Sequence, residues 1–174
     1  MFFTADHHFG HGKIIGLCAR PFTDVEEMNE AMISTWNQTV GRRDDVWHLG
    51  DFAFRGGADF KAGIFSRLNG RKRLVVGNHD DKATLSLPWS DPPVQLARVA
   101  AEGVRLVLCH YGLRVWPGLH RGAIHLYGHS HGRLPGSSLC LDVGVDSWNY
   151  RPVSVHEILR HTATMAEFVD PEVR

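Results

Sequence analysis

The stretch RKRLVVGNHD, residues 71–80, reads as a short strand over 71–76 that runs straight into a turn of glycine, amide, imidazole and carboxylate. Two earlier segments repeat the design. Residues 1–5 form a strand followed by DHH (6–8), and DVWHL (45–49) forms another followed by GDF (50–52). The segments between them have helical spacing. In TDVEEMNEAMISTWNQTV (23–40), Val25, Met28, Met32 and Trp36 mark a core-facing stripe, and Thr23 with Glu26 has the capping-box pattern. Over 58–68, Phe60, Ile64 and Leu68 mark a second stripe, with Gly70 just past its end. The order strand, helix, strand, helix, strand implies a sheet with parallel members and helices on its faces.

The second half changes character. SLPWSDPP (86–93) is a loop, and the runs near 94–100, 104–109, 123–127 and 138–145 are short and strand-like, which implies a second sheet with the helices outside the pair. SVHEILRH (154–161) closes the fold as a helix with Ser154 and Glu157 in capping-box positions. The length of 174 residues fits a single domain, with residues 168–174 expected to fray.

Lys plus Arg and Asp plus Glu both number 19, so no global field favours nucleic acid or an anionic membrane surface. No apolar run approaches the roughly 20 residues of a bilayer span. The opening MFFTADHHFG lacks the charged start and long apolar core of a signal peptide. Cys18, Cys109 and Cys140 are odd in number and form no C-x-x-C pair, as suits reduced thiols in a cytoplasm. The 12 histidines are the unusual feature of the composition and point to a metal site or acid/base chemistry.

Polar residues locate that chemistry. Five strand ends carry metal-capable groups: ADHH, LGDF, VGNHD, LCHYG and LYGHSH. Ligands in open α/β sheets bind beyond the carboxyl ends of strands, so these ends converge. Alternation along a strand puts Asp6 and His8 on one side and His7 on the other, and separates His110 from Cys109. His48 and His125 read as packed sheet histidines, and His156 and His161 as residues of the last helix. What remains is Asp6, His8, Asp51, Asn78, His110, His129 and His131. Carboxylate, imidazole and amide oxygen without thiolate suit Mn, Fe, Zn, Ni or Co, with Mn placed first. Seven ligands are too many for one open ion, so two divalent metal ions are expected, bridged by a carboxylate.

The series DHH, GDF, GNHD, CH, GHSH resembles the calcineurin-like metallophosphoesterases over about the whole chain. FTADHHFGHGKII, RPF, EMN, WHLGDFAF and GVDSWNYRPVSVHEI resemble the small single-domain bacterial and phage branch of that family. The resemblance implies a four-layer αββα sandwich with a dinuclear centre at its edge. Asp6, His8, Asp51 and His131 would hold the first metal, with Asp51 bridging, and Asn78, His110 and His129 would complete the second. His79 would be the proton donor or transition-state stabiliser. In GHSH the two rings would serve different metals, with Ser130 spacing them. The continuation GDFAFRGG departs from the protein-phosphatase pattern of the superfamily.

The resulting expectation is a metal-dependent phosphoesterase in which a metal-bridging hydroxide attacks phosphorus, with His79, Asp51 and Asn78 catalytic. A phosphodiesterase acting on a small or nucleotide-like substrate ranks first, a phosphomonoesterase second, and a non-catalytic scaffold on the same fold is the reading from another class. His11, Arg20, Arg55 and His120, in loops near the motifs, are candidate phosphate or leaving-group contacts. Asp80 either orients His79 or caps a turn, and Trp116 either walls the pocket or anchors its loop. GRKR (70–73) reads as a solvated turn rather than a nucleic-acid patch.

Overall fold

The structure, a computed structural model, describes residues 1–169. Strand β1 (Phe2–Thr4) is too short to stand alone and is held in the middle of a sheet. It pairs in parallel with β2 (Asp45–His48), which pairs in parallel with β3 (Arg71–Leu74), while β8 (Val153–Ser154) closes the other side antiparallel. Among the intervening helices, α1 (Gly12–Leu17) and α4 (Lys82–Leu85) are short turns without an apolar stripe in the sequence. Helices α2 (Val25–Thr39) and α3 (Ala58–Arg67) supply the outer layer, where Met28, Met32, Trp36, Ile64 and Phe65 pack with Val46 and Phe52.

Two local details differ from the sequence reading. The α2 cap is Asp24, whose carboxylate accepts from Glu27 N–H at 2.8 Å, while the Thr23 N–H and hydroxyl donate to the Glu27 carboxylate. The helix therefore starts one residue later than Thr23 and Glu26 implied. On α3, Phe60 is exposed and the buried face carries Lys61 instead. Lys61 lays its alkyl stem inside and brings its ammonium to Asp81 (2.7 Å) and Thr84 (3.1 Å) at the start of α4.

The second sheet has the order β4 (Leu96–Ala101), β5 (Val104–Cys109), β6 (Ile124–Tyr127), β7 (Cys140–Asp142), with β5, β6 and β7 parallel and β4 antiparallel at the edge. Phe3, Ala5, Leu49 and Val75 of the first sheet meet Leu106, Leu108, Leu126 and Leu141 of the second, forming the core between them. Two mixed sheets flanked by helices make the expected α/β sandwich. Helix α5 (Val155–Thr162) adds Val155 and Ile158 to this core, and its Ser154–Glu157 capping box is formed. The outer face of the second sheet is covered by a loop and a 3-10 turn, with Trp116 and Leu119 packed on Val107, Tyr127 and Cys140. Trp116 Nε1–H donates to the Ala123 carbonyl at 2.7 Å, so this residue anchors its loop.

A parallel bridge between Ala5 and Gly144 joins the sheets just past β1 and β7, so all six parallel strands end together. Within the segment expected to fray, Phe168 N–H donates to Ser138 Oγ at 3.0 Å and the ring packs on Trp116; residues 170–174 lie outside the described residues. No described helix is long and apolar enough to cross a membrane. Urea unfolding checks the packing: Met32→Ala is expected to cost about 2–5 kcal/mol, and Asp24→Ala about 1 kcal/mol through the lost cap.

Candidate metal centre

Regular pairing of β1 stops at Thr4, and the chain then kinks twice. Asp6 and His8 have φ of 60° and 50°, and Asp51, His129 and His131 also lie in the left-handed region at 58°, 66° and 49°. Such conformations cost non-glycine residues on the order of 1 kcal/mol or more each and persist only where the surroundings enforce them. Here Asp6 N–H donates to the Gly50 carbonyl and His8 N–H to the Asp51 carbonyl, both at 3.0 Å. The kinks turn Asp6 and His8 to one side and His7 to the other. The parity expectation thus holds, through two left-handed residues rather than a straight strand.

All seven expected ligands come together. Donor atoms of Asp6, His8 and His131 lie within 4.8 Å of one another, as do those of Asp51, His110 and His129. Asp51 Oδ2 is 3.5 Å from His8 Nε2 and 3.5 Å from His110 Nε2, so one buried carboxylate faces both groups. Asn78 Oδ1 lies 3.0 Å from His110 Nε2. The His110 Nδ1 proton is directed to the Leu49 carbonyl at 2.8 Å, which leaves Nε2 presenting a lone pair to the amide oxygen, an arrangement a cation reconciles. His79 is exposed beside them, its ring 5.3 Å from that of His8 and its backbone N–H donating to Asp51 Oδ1 at 2.8 Å.

The electrostatics ask for positive charge. Asp6 Oδ1 and both ring nitrogens of His8 are buried without a hydrogen-bond partner. Burial, then the charges of Asp142, Asp51 and Asp146, raise the Asp6 pKa well above its ordinary value. Burial first, and neighbouring cationic groups after it, push His8 down to about 2, so its ring is neutral and one ring nitrogen has a lone pair free for a metal. These oxygen and imidazole donors fit a divalent ion of the Mn, Fe, Zn, Co, Ni series.

Three aspartates outside the expected ligand set hold the centre in place. Asp146 Oδ2 lies 2.8 Å from His131 Nδ1, and the same carboxylate takes the fork of Arg20 at 2.8 Å from both Nε and Nη2. Arg20, expected at the phosphate, is buried as a strut whose remaining donors reach the carbonyls of Asp6 (2.8 Å) and His7 (3.0 Å). Asp142 binds the GHSH turn, accepting from Ser130 Oγ (2.5 Å) and Gly132 N–H (3.0 Å). Ser130 is therefore a tether as well as a spacer. Asp80 accepts from the N–H groups of Asp51, Phe52 and Gly77 at 2.8–2.9 Å, which makes it a turn cap that ties two motif loops together rather than a partner of His79. Close packing explains the glycine at 50, since a Cβ there would stand 2.5 Å from His110 Nδ1.

Other expected contacts divide. His11 stacks on Phe54 with centroids 3.9 Å apart, and Arg55 lies over the same ring, at a cavity of about 380 Å³ beside His8. His120 is placed elsewhere, on the outer face of the second sheet. His48 is buried with His7 (Nε2 to Nδ1 3.0 Å), and His125 bonds the Val107 carbonyl and Leu113 N–H, as packed histidines should. In GRKR, Arg71 and Arg73 pair with Asp45 while Lys72 donates to the Leu68 and Gly70 carbonyls.

No protein-family model matches the sequence. Among solved structures, a protein of unknown function from Aquifex aeolicus superposes with a TM-score of 0.73 at 24% identity, covering 92% of this chain and 98% of that one. Yfce, a phosphoesterase from E. coli, superposes with a TM-score of 0.51 at 20% identity over 82% of this chain and 76% of its own. The fold is metallophosphoesterase-like. An uncharacterized protein of Methanocaldococcus jannaschii is 29% identical over 92% of this chain and 89% of its own. The gene 66 protein of Mycobacterium phage D29 is 30% identical over 86% of this chain and 89% of its own, and the chain belongs to the same family as that phage protein.

Two expectations follow. Asp146→Asn should weaken divalent-metal binding about 10–100-fold if the His131 ring is a ligand, as loss of the partner behind a ligating imidazole does, with an unchanged circular dichroism spectrum; calorimetric titration measures it. Burial lowers the pKa of His7 and takes that of His48 from 6.5 to about 3. The unfolded chain then binds protons that the native state refuses, so stability present above pH 6.5 is lost progressively toward pH 3. Asp6, with its raised pKa, works in the opposite sense. The urea midpoint should therefore fall on acidification from neutral pH, with a shallower fall in a His7→Phe/His48→Leu variant.

Proposed function

We propose that the protein is a divalent-metal-dependent phosphoesterase that cleaves a phosphodiester bond in a small or nucleotide-like substrate. One observation carries the reading: Asp51 faces two ligand clusters at once, with an exposed histidine fixed beside it. Asp6, His8, Asp51 and His131 would hold one ion, and Asp51, Asn78, His110 and His129 a second. Bound divalent ions supply Lewis acidity toward phosphoryl oxygens and a nucleophilic water at neutral pH. The rest is done by the chain. Asp142 and Asp146 keep both GHSH rings aimed inward, and burial excludes bulk water from Asp6 and His8.

His79 is the acid. Its main-chain bond to Asp51 fixes its base, while its ring stands outside the ligand set with Phe54 against it at 5.1 Å. From there the imidazole delivers a proton to the departing oxygen. The cavity lined by His11, Lys13, Phe54 and Arg55 receives the leaving group, its aromatic floor and cationic rim suiting a ring that carries a negative charge. The phosphoesterase character of Yfce supports the reading through the shared fold. Free Cys18, Cys109 and Cys140 suit a reducing cytoplasm.

The test is hydrolysis of bis-p-nitrophenyl phosphate and p-nitrophenyl phosphate by metal-stripped protein with and without Mn. Metal-dependent turnover favouring the diester is expected. Preference for the monoester would move the assignment to a phosphomonoesterase, and protein that binds no metal at all would overturn it in favour of a scaffold. His79→Ala should lose about 10²–10⁴-fold in kcat with metal content intact, whereas Asp51→Asn should lose metal.

A further inference from the structure

A second concentration of charge lies on the outer face of the second sheet. In the β4–β5 hairpin Arg98 stands opposite Val107 and Ala100 opposite Arg105. Both arginines therefore share the face of Val107, which packs outward under the Trp116 loop, while Leu106 and Leu108 point into the core between the sheets. They are diagonal neighbours, about 7–8 Å apart at the backbone. The facing wall is the 3-10 turn Leu119–Arg121, bracketed by the left-handed Gly118 and Gly122, which presents His120 and Arg121. The Arg105 guanidinium donates to the Arg121 carbonyl and ties the two walls together. They enclose a cavity of about 610 Å³.

Among the described residues, Arg98, Arg105 and Arg121 form no ion pair with a carboxylate; other surface arginines such as Arg42 and Arg160 form none either, and what sets these three apart is that they line one cavity. Glu102, the acid in the hairpin turn, lies 3.9 Å from His156 instead. Three guanidiniums without a carboxylate partner thus gather around one concavity, with the His120 ring beside them. Guanidinium forks match phosphate oxygens two at a time. Arg98 and Arg105 stand on one wall and Arg121 on the other, so two linked phosphates can engage both walls at once.

We propose that this cavity binds a compact oligophosphate, inorganic pyrophosphate or the diphosphate of a nucleotide. A nucleic-acid backbone fits less well, because Arg71 and Arg73 are already paired and the chain is neutral, so no cationic track leads away. Arg105 precedes His110 by five residues along the same strand and its end, a separation of about 16 Å. The cavity and the metal centre are distinct sites, and the proposal is independent of what the metal centre turns over.

Calorimetric titration of the metal-stripped full-length chain with pyrophosphate tests it. Saturable binding is expected, with inorganic phosphate weaker by about tenfold or more, and Arg98→Gln/Arg121→Gln should weaken pyrophosphate by more than about tenfold without shifting Tm, as loss of charged contacts does. Should the double variant lose its fold, Arg98→Gln alone, at an exposed strand position, serves the same purpose. Three results would overturn the proposal: no saturable pyrophosphate binding, equal binding by the folded variants, or binding of a short oligonucleotide that the arginine changes abolish while pyrophosphate stays unbound.

Discussion

A carboxylate with no access to water sets the terms for this fold. Asp6 is fully buried, one oxygen takes the His129 N–H, and the other has no partner. Asp51, Asp142 and Asp146 lie close enough to oppose its ionisation, and the guanidinium nearest to it, Arg20, donates to its carbonyl and forks on Asp146. Uncompensated, such a group costs several kcal/mol after relaxation. A divalent ion held by these groups would turn that cost into affinity.

The scaffold around Asp6 is built to deliver these groups and little else. Five candidate ligands occupy left-handed backbone, which a β-strand never supplies, so each ligand sits just past the strand that carries it. The aspartates behind them are bonded mainly to backbone N–H groups: Asp80 to three and Asp142 to two. These bonds hold loops that neither sheet reaches. Arg20 and Asp146 extend the restraint from α1 and its following turn to His131.

The ligand set was legible because every member follows a short apolar run, a pattern visible without coordinates. Asp142 and Asp146 obey the same rule at the end of β7, but in LDVGVD no histidine stands beside them, so the sequence there carries no metal-site signature. Arg20 and His120 were misplaced for a different reason. A loop position in sequence does not say whether a long side chain reaches outward or folds back beneath a carbonyl, and proximity to a motif does not bring a side chain to the site. The Lys61 reversal on α3 has the same origin, since an ammonium on a four-carbon stem can occupy an apolar stripe when an acid waits at its end.

Strand β1 has a further consequence for how the chain is made. It lies between β2, about forty residues later, and β8 at Val153–Ser154, so one edge of the strand that leads into Asp6 and His8 finds its hydrogen-bonding partner only after Val153 and Ser154 have left the ribosome. Pairings of such long sequence separation close slowly. Until then the nascent protein carries an open strand edge, although every candidate ligand, the GHSH histidines included, has already been made.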